Sequence, residues 1–380
     1  MAERKGKPVE DEKVDMGQDN PGNPDTPPTE GSHTKAVIAA ARISTSRPLG
    51  APRVDSGLIE FSVGDNSVTT PISGVMVLDY IPTLGVSESA TSALSRAAAN
   101  EFNAIRSQIS GNRPYEPVDH MIYRICVDSM RELYTYIKRA WRILTHYSAT
   151  NLYRPLGYLT AMGLDAEDWN RNREKIYQWL LTHAQSLEQF PTVPIGRISD
   201  RRIALNEAFF LDGDLEGAQT YIFNQVAFYS YEVVDHVKGV TLRQLGKTWA
   251  AASTLWDEMY TALASSSDVF TMTADIRRAF AEKVVTELPV PTASIEDVPI
   301  AKFDVILEGI QNSTILGVRK SEDPDDTTLE TVLGAFRIQD KLGNGALYCK
   351  PTWTLDFDGV LHNVAAFNSH VNSKVLEPDA

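Results

Sequence analysis

Between Tyr115 and Thr150 the chain carries one apolar rhythm without a break. Val118, Met121, Ile122, Ile125, Met130, Leu133, Ile137, Ala140, Trp141 and Leu144 recur chiefly in steps of three and four. That spacing lines one side of a 3.6-residue helix. Pro114 and Pro117 punctuate the entry, and Asp119 falls where the positive end of the helix dipole favours a carboxylate. Lys138, Arg139 and Arg142 suit the opposite end, and no Gly or Pro interrupts the run. A helix of this length is more than twice the globular mean. Charged residues throughout it exclude a membrane span. The expectation is a scaffold helix around which other elements pack.

The chain has 380 residues, 43% hydrophobic and 23% charged, a balance that supports a substantial core in one or two domains. Its net charge of -14 argues against a surface that grips nucleic acid everywhere, while leaving room for a local basic face. The two cysteines are Cys126 and Cys349. Cys126 lies within the long helix, so a buried thiol and a reducing compartment are expected rather than a disulfide. No apolar run follows Met1 and no stretch is apolar enough to cross a bilayer. A soluble protein made in the cytoplasm is expected.

Residues 1–35 are rich in Pro, Gly, Asp and Glu and read as a disordered arm. Residues 36–380 form the folded part. Leu58, Ile59, Phe61 and Val63 precede Gly64-Asp65-Asn66-Ser67, and Val68, Ile72, Val75, Val77 and Leu78 follow it, a hairpin pattern. Ser89 to Ile109 reads as a helix capped by Ser87 or Ser89 and ended by Gly111. A short helix is expected over Leu152–Met162, and a strong one over about Ala166–Phe190, capped by Asp165 and stopped by Pro191. Ser199–Phe210 reads as helical, Thr220–Val234 as strands or an extended lobe. Helices are then expected over Thr241–Ala264 and Thr273–Leu288, with Thr241 and Thr273 as caps. After a turn-rich stretch from Pro289 to Pro299 come short apolar runs at Phe303–Leu307 and Thr314–Val318 and an exposed loop at Asp323-Pro324-Asp325-Asp326. Gly343-Asn344-Gly345 then turns between Phe336–Ile338 and Ala346–Cys349. The fold class is mainly α with β-hairpins at both sequence ends (α+β).

Three short motifs invite a chemical reading. Asp356-Phe357-Asp358-Gly359-Val360-Leu361 matches the nucleophile loop of haloacid-dehalogenase-type phosphatases. That loop follows the first strand of a doubly wound sheet, and the residues left after it here are too few for the rest of that fold. Gly246-Lys247-Thr248 echoes a phosphate-binding loop, but Thr241 stands where its first glycine belongs, and helix interior is the expected role. The seven histidines (33, 120, 146, 183, 236, 362, 370) show no metal-ligand spacing. No residue is assigned to catalysis, to a cofactor or to a metal.

One electrostatic feature remains. Arg124, Arg131, Lys138 and Arg142 are spaced seven, seven and four, so they share a stripe of the long helix, with Asp128 in reach of the first two. The stripe is either a solvated face with ordinary ion pairs or a positive surface facing a phosphate backbone.

Several blocks, in order, resemble the capsid proteins of small double-stranded RNA viruses of the picobirnavirus and partitivirus group. Pro117-Val118-Asp119-His120-Met121-Ile122-Tyr123, leading into Met130-Arg131-Glu132-Leu133-Tyr134, resembles their long shell helix. Ser148-Ala149-Thr150-Asn151-Leu152-Tyr153-Arg154-Pro155-Leu156 is similar to the turn after it, and Ala218-Gln219-Thr220-Tyr221-Ile222-Phe223 to an extended segment. Met272-Thr273-Ala274-Asp275-Ile276-Arg277-Arg278-Ala279-Phe280 and Ile310-Gln311-Asn312-Ser313-Thr314-Ile315-Leu316-Gly317 complete the likeness. It implies a helix-rich capsid shell fold around a long central helix, not a jelly roll, with a core over about 86–290. A protruding lobe would lie at 191–236 or in the β-rich part 291–380. It also implies subunits that dimerise and close an icosahedral shell around genomic double-stranded RNA, with the viral polymerase inside and no membrane. The protein's place would be the virion, after synthesis in the host cytoplasm. Many members carry basic N-terminal arms, some self-processed. The arm here is net acidic, so neither property is carried over.

Under this resemblance Tyr221, Phe223, Phe228, Tyr229 and Tyr231 are candidate subunit-contact aromatics, against plain core packing. The basic stripe, if inward, would offset RNA charge. The competing readings are a non-viral cytoplasmic scaffold that binds a partner, and a phosphatase using Asp356 and Asp358.

Overall fold

The apolar periodicity of residues 115–150 folds, in a computed structural model, as a helix over Pro117–Ser148. The structure describes residues 58–63, 66–71, 75–111, 113–148, 153–194, 199–211, 220–281, 288–302, 333, 336–341 and 345–350. The expected arm, the Asp323–Asp326 loop, the runs at 303–307 and 314–318, and Asp356 with Asp358 lie outside them.

The first strands are β1 (Leu58–Val63), β2 (Asn66–Pro71) and β3 (Val75–Tyr80), and β1 pairs antiparallel with β2 as the sequence predicts. Helix α1 (Ala93–Gln108) starts three to four residues later than expected. Neither Ser87 nor Ser89 caps it. Ser92 Oγ instead accepts from the backbone N–H of Glu88 and Ser89, fixing the turn that leads in. The long helix is α2 (Pro117–Ser148); Asp119 accepts from the Glu116 N–H at 2.9 Å and so closes its first turn. From Val118 to Thr145 every residue of α2 is buried except Arg131 and Arg142, which are half-buried. The one-sided apolar stripe therefore understates the burial. Helices and strands cover α2 on all sides, and its charged residues go inside with the rest.

Next come α3 (Tyr153–Ala161), ended by Gly163 at φ +79°, and the stretch expected as one helix from 166 to 190. It divides into α4 (Ala166–Arg171), α5 (Arg173–His183) and a 3-10 turn over Ser186–Gln189. Asn172 makes the first break: its Nδ2 donates to the Asp168 carbonyl and side chain, competing with the helical ladder. Asp165 caps α4 as predicted, accepting from the Asp168 N–H.

Helix α6 (Asp200–Glu207) stops before Phe210, giving way to β4 (Phe209–Leu211). Then follow β5 (Thr220–Gln225), β6 (Ala227–Val234) and β7 (Val237–Gln244). The expected helix cap Thr241 lies inside β7, opposite Ser230. Asp235 and His236 at φ 51° and 66° make a two-residue turn, the hairpin geometry that a right-handed twist requires. Helix α7 (Trp249–Ala264) is capped by Thr248, and α8 (Ser267–Phe280) begins after Ser266, leaving the other expected cap, Thr273, mid-helix and buried. Strand β8 (Ile300–Lys302) and the hairpin β9 (Ile338–Lys341) and β10 (Ala346–Tyr348) close the described chain.

The strands make two four-stranded sheets in the orders β10-β9-β7-β6 and β3-β5-β4-β8, besides the β1–β2 pair. The C-terminal hairpin thus extends the central one. Gly239 permits the junction, because a Cβ there would lie 2.7 Å from the Ile338 carbonyl oxygen. The architecture is helix-rich with a long central helix and is no jelly roll. Cys126 and Cys349 are both buried and free.

Candidate functional site: the charged rows of the central helix

The four cations of the predicted stripe are inside the subunit. Their side chains are only 5% (Arg124), 17% (Arg131), 3% (Lys138) and 11% (Arg142) exposed. All four are tied to neighbouring groups, with Asp128 shared by the first two and Glu296 by the last two. Arg124 donates to Asp128 at 2.8 Å and to the Val193 carbonyl at 2.8 Å, and lies 3.5 Å from Glu101 of α1. Arg131 reaches Asp128 and Thr192, each at 3.2 Å. Lys138 donates to the Pro289 carbonyl at 2.7 Å, and Arg142 binds Glu296 at 3.0 Å and Glu207 of α6 at 3.3 Å. Asp128 pairs with both arginines, as its spacing predicts. The RNA-facing reading of the stripe is corrected: these groups are spent on holding flanking segments to α2.

Burial and pairing decide the charge states. Burial alone would raise the Asp128 carboxyl, but Arg124 and Arg131 hold it below its ordinary value. Burial would likewise lower the Arg124 guanidinium, yet Asp128 and Glu101 raise it. Arg124 and Asp128 therefore stay ionised, whereas burial lowers Arg131 and Lys138.

A second row, which the sequence did not single out, runs along another side of α2. Glu132, fully buried, accepts from Arg202 at 2.6 Å and from Gln225 at 2.8 Å, and Gln225 in turn accepts from Tyr80 and Asn206. Burial raises the Glu132 carboxyl, and one guanidinium does not reverse it. Arg139 donates to the Leu205 and Phe223 carbonyls, and burial lowers it to about 10. Tyr136 donates to Asn224, which donates to Asp79. The signal was present as Glu132 and Arg139, seven apart within an apolar row. Their partners lie more than sixty residues away, where no spacing rule reaches.

Three of the five candidate contact aromatics are corrected in the same sense. Phe223, Phe228 and Tyr229 are 1%, 0% and 0% exposed. Phe223 packs edge-on against Phe210, and Phe228 against Tyr136 of α2. Tyr221 and Tyr231 are half-buried against the core. The three buried rings are packing residues of the subunit, while Tyr221 and Tyr231 keep a partly exposed side.

Gly246-Lys247-Thr248 is not helix interior but the strand-to-helix connection between β7 and α7. Several of its donors and acceptors are already used. Asp168 accepts from the Trp249 N–H, Thr248 caps Ala251, and the Lys247 carbonyl accepts from Asp165 N–H and Trp169 Nε1. Gly246 is there because a Cβ would collide with Ala251. Among the described residues no three His, Cys, Asp or Glu side chains are placed to hold a metal ion, and no helix is long and apolar enough to cross a membrane. What this arrangement does is hold neighbours in place: charge pairs tie α1, α6 and the stretch at Glu296 to one rod, and hydrogen bonds add residues 192–193 and β5.

The family model described as picobirnavirus capsid protein matches residues 39–379. A capsid protein precursor of human picobirnavirus is 25% identical over 321 residues, covering 82% of this chain and 57% of that protein. A crystallographic structure of the picobirnavirus capsid superposes with a TM-score of 0.62 at 21% identity, covering 85% of this chain and 62% of that one. This chain therefore spans less than two-thirds of the length of either relative.

Proposed function

The chain belongs to the picobirnavirus capsid protein family, and from that premise we propose that it pairs into dimers that close an icosahedral shell around double-stranded RNA. The observation that carries this is the family match, which runs over residues 39–379. The internal architecture supports it. A shell subunit must hold its shape against forces from several neighbours, and a buried, ion-paired central rod gives that stiffness. Exposed apolar side chains at Val290, Ile295 and Ile300 lie within one short stretch and are candidates for contact between copies.

In this reading the subunit performs no chemistry and holds no cofactor. It is made in the host cytoplasm, resides in the virion, and encloses the polymerase with the genome. The sheet β10-β9-β7-β6 joins one segment from each of the two stretches expected to protrude.

The test is expression of the full chain followed by nuclease treatment and negative-stain imaging. Uniform closed particles containing protected RNA are expected. A preparation without particles under every salt and pH tried would refute the reading.

A further inference from the structure

We propose that the outer faces of α1 and α8 form the surface that receives the phosphate backbone of double-stranded RNA. The inference deepens the shell reading above and rests on it for the identity of the polyanion. Helix α1 carries three charged residues, Arg96, Glu101 and Arg106, and α8 carries four, Asp268, Asp275, Arg277 and Arg278. The fold sorts them by sign.

Every acid is engaged by a cation or donor, and Glu101 and Asp275 are turned inward, while Asp268 stays 37% exposed beside its lysine. Glu101 is 4% exposed and held by His120 at 3.0 Å and Arg124 at 3.5 Å. Asp268 accepts from Lys238 at 2.6 Å. Asp275 accepts from Tyr115 at 3.1 Å and pairs with Arg113 at 3.3 Å. Arg113, itself only 5% exposed, also donates to the Ile109 carbonyl at the end of α1, and so ties the two helices together.

The arginines are left outside. Arg278 is 69% exposed and approaches Asp275 only to 3.8 Å. Arg96 and Arg106 are exposed on α1, and neither is ion-paired among the described residues. Arg277, also exposed, donates to the Glu188 carbonyl at the flank. Asn100 and Asn103 add neutral donors between the two α1 arginines. On a chain of net charge -14 the fully exposed charges of these two helices are all positive, with Glu116 and Glu188 exposed at the flanks. Ten residues of helix separate Arg96 from Arg106, about 15 Å, a span over which a duplex presents several phosphates. The deep, narrow major groove of A-form RNA keeps side chains from its base edges, so contact with the phosphates by charge without a code is the suitable recognition. The other occupant that charge permits is an acidic surface of a second copy.

The experiment compares the full chain with the triple variant R96Q/R106Q/R278Q, the charge-keeping R96K/R106K/R278K, and a control, R171Q/K175Q/R243Q, that removes exposed cations elsewhere. Binding of a synthetic 20-base-pair RNA duplex is measured against salt, and assembly by sedimentation. The Gln triple should flatten the plot of log affinity against log salt by roughly 2–3 units, from about 0.9 per lost contact. The Lys triple and the control should keep the wild-type slope, and all four chains should assemble alike. An unchanged slope in the Gln triple overturns the proposal, as does a wild-type chain that does not bind the duplex. Lost assembly with an unchanged slope also overturns it and assigns the face to subunit contact. A slope that falls as expected in a chain that never forms particles would sink the shell reading and leave this surface standing.

Discussion

Asp128 and Glu132 stand one turn apart on the same helix, and their surroundings move them in opposite directions. Two guanidinium groups hold Asp128 below its ordinary value, whereas Glu132 has one and burial raises it. Removing that one should be costly, since it strands a carboxylate in the core. Arg202→Met is expected to destabilise the subunit by about 3–5 kcal/mol, and adding Glu132→Leu should recover most of the loss. Urea denaturation of the single and double variants checks both. Asp79 gives a pH test. Burial, with the Asn224 hydrogen bond opposing it, raises its pKa from 3.8 to about 6. The folded state therefore holds the proton more tightly than the unfolded chain. The stability it lends is complete below about pH 4 and is lost as pH rises through 6. Asp79→Asn keeps an acceptor for Asn224 without the charge. It should match wild type near pH 4 and be more stable at pH 8, by at most about 3 kcal/mol. Equal stability differences at both pH values would contradict this. At this scale the sequence was legible only locally: the Arg124–Asp128–Arg131 pairing follows from helical spacing, but its burial depends on Val193, Glu101 and Thr192, which spacing cannot reach.

Elements were legible where periodicity was long. The central helix shows itself through ten apolar positions in register, and its observed ends fall within two residues of the expected ones. The β1–β2 and β9–β10 hairpins were marked by their turn residues. Cap chemistry alone misled, because Thr241 and Thr273 have a cap's side chain but sit in a strand and a helix interior. The true cap, Thr248, follows a glycine whose role is close packing. Likewise Asn172 divides a helix that apolar spacing draws as continuous. The join between the central and C-terminal hairpins was invisible, since it depends on one missing Cβ. Gly239→Val should force β9 away from β7. Hydrogen exchange should then show faster exchange at residues 338–341 while the amides of α2 keep their protection. Unchanged exchange at 338–341 would mean that the sheet accommodates the side chain.

For the whole molecule, family membership came from blocks whose order and spacing survive where identity is low, as the 25% identity to a picobirnavirus capsid protein precursor indicates. The surfaces did not come with it. Both sets of candidate contact residues lie mostly within the subunit, because the long helix and the aromatic strands are its core, and core residues are the ones that periodicity picks out. Exposed residues such as Arg96, Arg106 and Arg278 obey no period and become visible only when the fold sorts charge by side. The central claim is that this 42.0 kDa chain works through contacts with copies of itself. Sedimentation velocity of the purified full chain across a range of salt and pH tests it most directly. The account predicts a single fast boundary of closed particles in part of that range, in equilibrium with small oligomers outside it. A lone 42.0 kDa species at every condition and concentration would contradict it.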